Sequence, residues 1–265
     1  MKISIVMPTF NSERFIAEAI ESIQRQTYAN WELIISDGGS TDRTLDIVKS
    51  MEVPNLTIDS RPDSGVPDAL NRGFNRATGA IYCWLNSDDV YLDRSLFTKV
   101  VDEFKIGAKA AVAHMAVLDE QGAVDRILFA YISKLGPERT NANVFTGSLF
   151  FSSSTFQEFG GFSGRYKYSF ESEIYRYILE KEEVSVLNMI GAGFRRHGGG
   201  LSEVYSKDLS KERDEIFKDK EKIGRATRAF FRVVAHVSQR NLHLVVHNKI
   251  RPVKDRPNWR LFSDD

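Results

Sequence analysis

The sequence predicts an α/β fold: a mostly parallel central sheet with helices on both faces, followed by a helical C-terminal extension. Three observations predict it. Apolar strand-like runs and amphipathic helix-like segments alternate through residues 1–105 with short loops between them, the pattern of a parallel sheet covered on both sides. The run Ile81-Tyr82-Cys83-Trp84-Leu85 is continuously apolar, as strands buried on both faces are. Polar clusters recur at the strand ends, at Thr9/Asn11, Asp37, Asp63 and residues 86–89. Right-handed crossovers gather such ends on one edge, where open α/β sheets bind ligands.

Residues 3–7 form the first expected strand. Pro8-Thr9-Phe10-Asn11-Ser12 stops it, and Asn11 and Ser12 are both candidate N-caps for a helix in which Ile16, Ala19, Ile20 and Ile23 recur at helical spacing. Residues 31–36 form the second strand. The turn Asp37-Gly38-Gly39-Ser40-Thr41-Asp42 follows, with Ser40 a candidate cap for a helix carrying Leu45, Val48 and Met51. Residues 56–60 form a short third strand, broken at Arg61-Pro62-Asp63-Ser64-Gly65. Residues 66–77 are helical, with Ala69, Leu70 and Phe74 inward. After the strand at 81–85, Leu96, Val100 and Phe104 mark a further helix.

The second half reads differently. Residues 110–118 and 123–131 are strand-like and joined by Asp119-Glu120-Gln121-Gly122, a hairpin loop with glycine. Residues 144–151 and 184–189 are further strands. Gly160-Gly161-Phe162 turns the chain into an aromatic-rich stretch, with a helix beginning near Ser172. Arg195-Arg196-His197-Gly198-Gly199-Gly200 reads as a flexible basic loop, and the chain is expected to be helical from Ser202 onward. The expected division is residues 1–200 as one domain, with a nucleotide-binding half (1–105) and a second half (106–200), and residues 201–265 as a basic helical extension.

Composition narrows the function. The 265 residues carry 36 Lys/Arg and 36 Asp/Glu, so overall charge supplies no electrostatic reason for a nucleic-acid partner. The charge is uneven: from Arg225 onward there are nine Lys/Arg against three Asp/Glu. This basic stretch, with Phe230, Phe231, Val233 and Val234 among its cations, is a candidate peripheral membrane contact, a helix packed on the main domain, or a dimer interface. One cysteine excludes an intrachain disulfide and suits a reducing compartment. No run approaches 18 apolar residues, and the apolar run at the start is too short for a signal peptide. The expected location is cytoplasmic, with the tail as a candidate contact to the inner membrane face.

The chemistry centres on Asn86-Ser87-Asp88-Asp89. Adjacent carboxylates at a strand end repel one another unless a cation lies beside them. A hard divalent ion, Mg²⁺ or Mn²⁺, fits because it prefers oxygen ligands and bridges carboxylate to phosphate.

Val6-Met7-Pro8-Thr9-Phe10-Asn11, Asp37-Gly38-Gly39-Ser40-Thr41-Asp42, Asn71-Arg72-Gly73, Leu85-Asn86-Ser87-Asp88-Asp89, and Gly160-Gly161-Phe162 before Glu171 occur in that order. In this order and spacing they resemble family 2 glycosyltransferases with the Rossmann-like GT-A fold. The resemblance spans about residues 1–200 and implies that residues 106–200 are the acceptor half. It implies an inverting, metal-dependent transfer of a sugar from a UDP- or GDP-linked donor to a saccharide or lipid-linked hydroxyl acceptor, in surface polysaccharide or lipid-linked oligosaccharide synthesis. It implies that Asp89 binds the metal with support from His197, and that Asp88 and Asn86 lie by the ribose or donor sugar. Asp37 would meet the nucleobase, and Pro8, Thr9 and Asn11 the nucleotide. Asp68, Asn71 and Arg72 would reach the ribose or diphosphate, and Glu171 would be the general base, with Glu173 its competitor. The Gln-x-x-Arg-Trp motif and membrane helices of processive members are absent from the sequence.

Two other readings compete. An inactive sugar-nucleotide-binding scaffold would keep the fold and lose the metal. A sugar nucleotidyltransferase would want a glycine-rich loop after the first strand, and residues 8–14 contain no glycine.

Overall fold

A computed structural model describes residues 1–134, 140–199 and 205–216. The first four strands are β1 (Ile3–Thr9), β2 (Trp31–Asp37), β3 (Leu56–Ser60) and β4 (Ile81–Trp84). They are connected through α1 (Ile16–Gln24), α2 (Thr44–Ser50) and α3 (Val66–Phe74). A short β5 (Val90–Tyr91) and α4 (Leu96–Lys105) lead to β6 (Ala110–Leu118) and β7 (Val124–Leu128). A separate hairpin pairs β8 (Tyr131–Lys134) with β9 (Thr140–Asn143). Then come β10 (Leu149–Ser152), α5 (Ser153–Phe159), α6 (Glu171–Lys181), β11 (Val184–Arg195) and α7 (Ser206–Ile216).

The main sheet runs β3-β2-β1-β4-β10-β6-β11-β5, with β7 beside β6. The pairs β3/β2, β2/β1, β1/β4 and β6/β11 are parallel; β10 runs against both its neighbours, and β5 against β11. Strand order reverses between β1 and β4. This is the switch point where the loops after two adjacent strands part and leave a crevice.

Strand alternation sorts the core into two layers. Ile3, Ile5, Met7, Leu33, Ile35, Ile81, Cys83 and Leu85 pack with α1, α2 and α4 on one face. Val6, Ile34, Tyr82 and Trp84 pack on the other with Leu70 and Phe74 of α3, Phe156 of α5, and Ile174 and Ile178 of α6. Gly73 is required in α3 because a Cβ there would lie 2.3 Å from Val6 Cγ1, so the helix could not seat on β1.

Several expectations change. Neither Asn11 nor Ser12 caps α1, whose N-cap position is Phe15, and Ser40 does not cap α2, which starts at Thr44. The strand expected over 144–151 is only β10; a 3₁₀ turn, Thr146–Ser148, precedes it. The strand expected over 123–131 breaks after Leu128. β11 is twice its expected length and contains Arg195, which is a buried strand residue and not part of a flexible loop. Helix α5 was not anticipated. It starts where Ser152 Oγ accepts the Thr155 N–H at 3.0 Å, and it ends at Gly160 with φ +80°, an N-cap and a left-handed C-terminal glycine. Of the helical extension expected over 201–265, only α7 falls within the described residues; the basic stretch from Arg225 lies outside them.

Candidate active site

A cleft of about 1050 Å³ opens at the ends of β1, β3, β4 and β11 and is walled by the start of α6. The loops after β1 and β4 meet at its floor, where Ser12 Oγ and Ser87 Oγ are 2.7 Å apart.

The two adjacent aspartates do different things. Asp89 is 3% exposed. Its Oδ1 accepts the Arg195 backbone N–H at 3.0 Å, and its Oδ2 accepts the Asn86 side-chain amide at 3.0 Å. Burial, with the Asp88 charge beside it, pushes its pKa well above the usual carboxylate range. Asp88 instead lies with Oδ2 2.9 Å from His197 Nε2, the two side chains 29% and 16% exposed. The hydrogen bond to Asp88 raises the His197 pKa above its ordinary value. Asp89, expected as the direct metal ligand, thus has both oxygens hydrogen-bonded within the protein, and Asp88 is the carboxylate that lies beside His197.

Arg195 sets this arrangement. Its guanidinium is buried and donates to the Asp88 carbonyl at 3.1 Å, the Glu120 carbonyl at 3.2 Å and Glu18 Oε2 at 2.6 Å. It also lies 4.9 Å over the Phe15 ring, which in turn packs 5.0 Å from the His197 ring. One buried cation thus fixes the backbone of Asp88 and, through Phe15, the wall behind His197.

Glu171 lies at the first turn of α6 and lines the cleft. Burial raises its pKa to about 7; its own backbone N–H and the Arg213 charge pull the other way. Four residues on, Tyr175 is on the same helix face, its hydroxyl 2.6 Å from Thr146 Oγ1. Glu173 points elsewhere, accepting Ser163 Oγ at 2.6 Å to hold the turn before α6. A carboxylate poised near neutrality in a cleft suits proton abstraction.

At the other end, Pro8, Thr9 and Asn11 line the cleft with Asp63 and Asn86. Thr9 Oγ1 donates to the Met7 carbonyl at 3.1 Å. Asn11, at φ +47°, accepts the Thr41 N–H at 2.9 Å and so ties the first loop to the second. Asp37 does not reach the cleft. It is fully buried, and its oxygens accept the Gly39 and Ser40 N–H groups at 3.0 Å each, Ser40 Oγ at 2.5 Å and Ser60 Oγ at 2.7 Å. Its carboxylate, expected to meet the nucleobase, is hydrogen-bonded to its own turn and to Ser60 at the end of β3. Asp63 is the carboxylate that lines the cleft at this end, with Oδ1 accepting the Gly65 N–H at 2.9 Å. It lies against Gly38, where a Cβ would come within 2.8 Å of Asp63 Oδ2.

Three more residues expected at the site make hydrogen bonds within the protein. Asp68 Oδ2 accepts the Ser64 N–H at 3.1 Å at the start of α3. Asn71 exchanges two hydrogen bonds with the Phe162 backbone, both 2.9 Å, and so joins α3 to the Gly160-Gly161-Phe162 turn. Arg72 is buried and donates to the Asp37 carbonyl at 3.2 Å, the Arg61 carbonyl at 3.3 Å and Asp63 Oδ2 at 3.3 Å. None of the three lines the cleft. The sequence had marked Asp63 as a strand-end carboxylate, but carried no signal for Arg195 or Tyr175.

The Asp88–His197 pair fits a divalent ion of the kind held by one or two protein groups and completed by phosphate oxygens and water. Among the described residues no group of three or more His, Cys, Asp or Glu forms a closed site. Among them, too, no helix is long and apolar enough to cross a membrane.

The family model described as glycosyl transferase family 2 matches residues 4–163. The PGL/p-HBAD biosynthesis glycosyltransferase of Mycobacterium bovis is 41% identical over 101 residues, 37% of this chain and 39% of that protein. The UDP-Glc:alpha-D-GlcNAc-diphosphoundecaprenol beta-1,3-glucosyltransferase WfgD of Escherichia coli is 33% identical over 95 residues, 36% of this chain and 38% of that protein. The chain thus spans about two fifths of the length of the curated relatives it matches. Residues 1–349 of S. aureus TarS, solved with UDP-GlcNAc, superpose with a TM-score of 0.65 at 18% identity, over 86% of this chain and 69% of that one. The mannosyltransferase PcManGT of Pyrobaculum calidifontis, solved with GDP-Man and Mn²⁺, gives 0.62 at 16% identity, over 83% and 65%. These two likenesses carry the fold alone, which is that of GT-A glycosyltransferases.

Proposed function

The chain belongs to glycosyl transferase family 2, and from that premise we propose that it transfers a sugar from a UDP- or GDP-linked donor to an acceptor hydroxyl with inversion at the anomeric carbon. The observation that carries this reading is Glu171, a cleft carboxylate whose pKa is raised to about 7, in the same cleft as the Asp88–His197 pair. The nucleotide half contributes the loops after β1, β3 and β4; the acceptor half contributes α6 and its approach.

Glu171 takes the proton of the acceptor hydroxyl as its oxygen attacks the anomeric carbon. The new carbon–oxygen bond forms as the bond to the diphosphate breaks, and the nucleoside diphosphate leaves with the electron pair. One displacement inverts the centre, so a single base suffices. Asp88 and His197 are the residues that would hold Mn²⁺ or Mg²⁺. The chemistry supplied there by a bound divalent ion is neutralisation of charge on the departing diphosphate. Asp89 acts inside the protein, holding β11 against the Asp88 loop. Pro8, Thr9, Asn11, Asn86 and Asp63 receive the nucleotide. The E. coli relative's name points to a lipid-linked diphosphate acceptor. We carry that class to this chain, with a role in polysaccharide or lipid-linked oligosaccharide synthesis and a site of action at the inner membrane face.

The test is release of nucleoside diphosphate from a panel of UDP- and GDP-sugars with Mn²⁺, for wild type and Glu171→Gln. The reading requires turnover with at least one donor, and a fall of about 10²- to 10⁴-fold in the variant with unchanged nucleoside diphosphate affinity. Equal turnover by the variant would remove Glu171 from the chemistry.

A further inference from the structure

The cleft has a second rim that the transfer step does not use. It is built by the residues before α6 and by α7. Glu212 of α7 sits in a nest of three consecutive backbone N–H groups: Lys167 donates to Oε1 at 3.0 Å, and Tyr168 and Ser169 donate to Oε2 at 2.8 Å each. Arg176 Nη1 donates to the Ile216 carbonyl at 2.7 Å, and Arg165 pairs with Glu215. These contacts pin α7 beside the start of α6. They also bring Tyr205 face to face with Tyr168, ring centroids 4.4 Å apart and planes 22° from parallel.

Both rings line the cleft, and Tyr205 is 38% exposed. Lys167 and Arg213 line the same rim and are exposed. Neither makes an ion pair with a carboxylate among the described residues; Arg213 acts on Glu171 only through space. Glu212, next to Arg213 on α7, accepts from the backbone nest. The rim is therefore an aromatic face flanked by two exposed cations, neither of them in an ion pair among the described residues.

Each half of that description selects a ligand. An aromatic face in a cleft stacks against the apolar face of a sugar ring, as rings bury flat amphipathic partners. Exposed Lys and Arg outside ion pairs take phosphate oxygens. We propose that this rim is the acceptor subsite and that the acceptor is an anionic saccharide, a sugar bearing a phosphate or diphosphate. Its ring lies on the Tyr168–Tyr205 pair and its phosphate on Lys167 and Arg213. Lys167, Tyr168 and Glu171 fall within five residues of chain, so a ligand held there is delivered to the base. The assignment rests on the transferase reading for the role of the site, but its chemistry is tested separately.

The experiment is calorimetric titration of the full chain with three probes: N-acetylglucosamine, N-acetylglucosamine 1-phosphate, and the same sugar joined through diphosphate to a short prenyl chain. UDP and GDP, each with Mn²⁺, are titrated in parallel. The proteins are wild type, the double variant Lys167→Ala/Arg213→Ala, the charge-preserving Lys167→Arg/Arg213→Lys, and Tyr205→Ala. The expected result is binding of the sugar phosphate at least 10-fold tighter than the free sugar. That margin is lost in the alanine pair and kept in the charge-preserving pair, and Tyr205→Ala weakens all three probes. Nucleoside diphosphate binding is unchanged throughout. Tighter binding of the prenyl diphosphate than of the sugar 1-phosphate assigns the phosphate to a lipid-linked acceptor, and equal binding to a soluble one; both support the anionic subsite. The proposal is overturned if free sugar and sugar phosphate bind alike, if none of the three probes binds, or if the alanine pair weakens UDP or GDP as much as the sugar phosphate. If no nucleoside diphosphate binds while the charge-dependent sugar phosphate binding persists, the donor reading fails and the subsite stands.

Discussion

Asp88 and His197, 109 residues apart in sequence, meet with carboxylate oxygen and imidazole nitrogen 2.9 Å apart at the mouth of the cleft. Asp88 leaves the end of β4 and His197 follows the end of β11, strands that are not neighbours in the sheet. Arg195 bridges them by donating to the Asp88 carbonyl from two residues before His197.

The first prediction concerns His197. His197→Ala removes the imidazole and leaves Asp88 in place. The Mn²⁺ concentration for half-maximal turnover should rise about 10- to 100-fold, as loss of a supporting partner does in metal sites, with little change in melting temperature. An unchanged Mn²⁺ requirement would make the pair a surface contact only.

The second separates the adjacent aspartates. Asp89→Ala strands the Arg195 N–H and the Asn86 amide in the interior, at about 2–4 kcal/mol. Asp88→Ala removes a partly exposed carboxylate and should change stability by less than about 1 kcal/mol. Urea unfolding of both variants checks this. The opposite ranking would return Asp89 to the role of exposed ligand.

The third is the pH dependence set by Glu171, whose pKa is raised to about 7 by burial. The base must be ionised, so turnover should rise as pH increases through about 7 and then level. Stability follows the reverse sign. The protonated form is favoured in the folded protein, so that contribution is complete below the unfolded value near 4.5 and is lost as pH rises to about 7. Glu171→Gln should therefore melt higher than wild type at pH 8 and equally at pH 4. A higher melting temperature for wild type at pH 8 would show that Glu171 is stabilised as an anion.

The fourth concerns the Asn71 bridge. Asn71→Ala breaks both hydrogen bonds to Phe162 and should cost about 1–3 kcal/mol. Gly161→Ala should be destabilising too, because Gly161 has φ +89° and a Cβ there would lie 3.0 Å from Asn71 Oδ1. Thermal melts report both.

Much of the fold could be read from the sequence because β1, β2, β4 and β6 are apolar on both faces and their helices carry a clear helical period. Harder to see were elements defined by distant partners. β9, Thr140–Asn143, has no apolar signature and exists by pairing with β8. Arg195 looks like a loop cation because its acceptors, Glu18 and the carbonyls of Asp88 and Glu120, are scattered along the chain. The choice between Asp88 and Asp89 was equally hidden, since the Arg195 N–H that claims Asp89 comes from 106 residues later. The burial of Asp37 was hidden because its donors come from its own turn, Gly39 and Ser40, and from Ser60 of the next strand. The Gly160-Gly161-Phe162 and Asn71-Arg72-Gly73 motifs were recognised separately, and the structure joins them through one amide.

The most direct measurement is calorimetric titration of UDP and GDP into the protein, with and without Mn²⁺, for wild type and Asp88→Ala. The account predicts that one of the two binds wild type only when Mn²⁺ is present, and that Asp88→Ala abolishes this binding while melting at the wild-type temperature. Failure of both nucleotides to bind under either condition, or binding indifferent to Mn²⁺ and to Asp88, would contradict it and leave a scaffold that keeps the fold without the transfer.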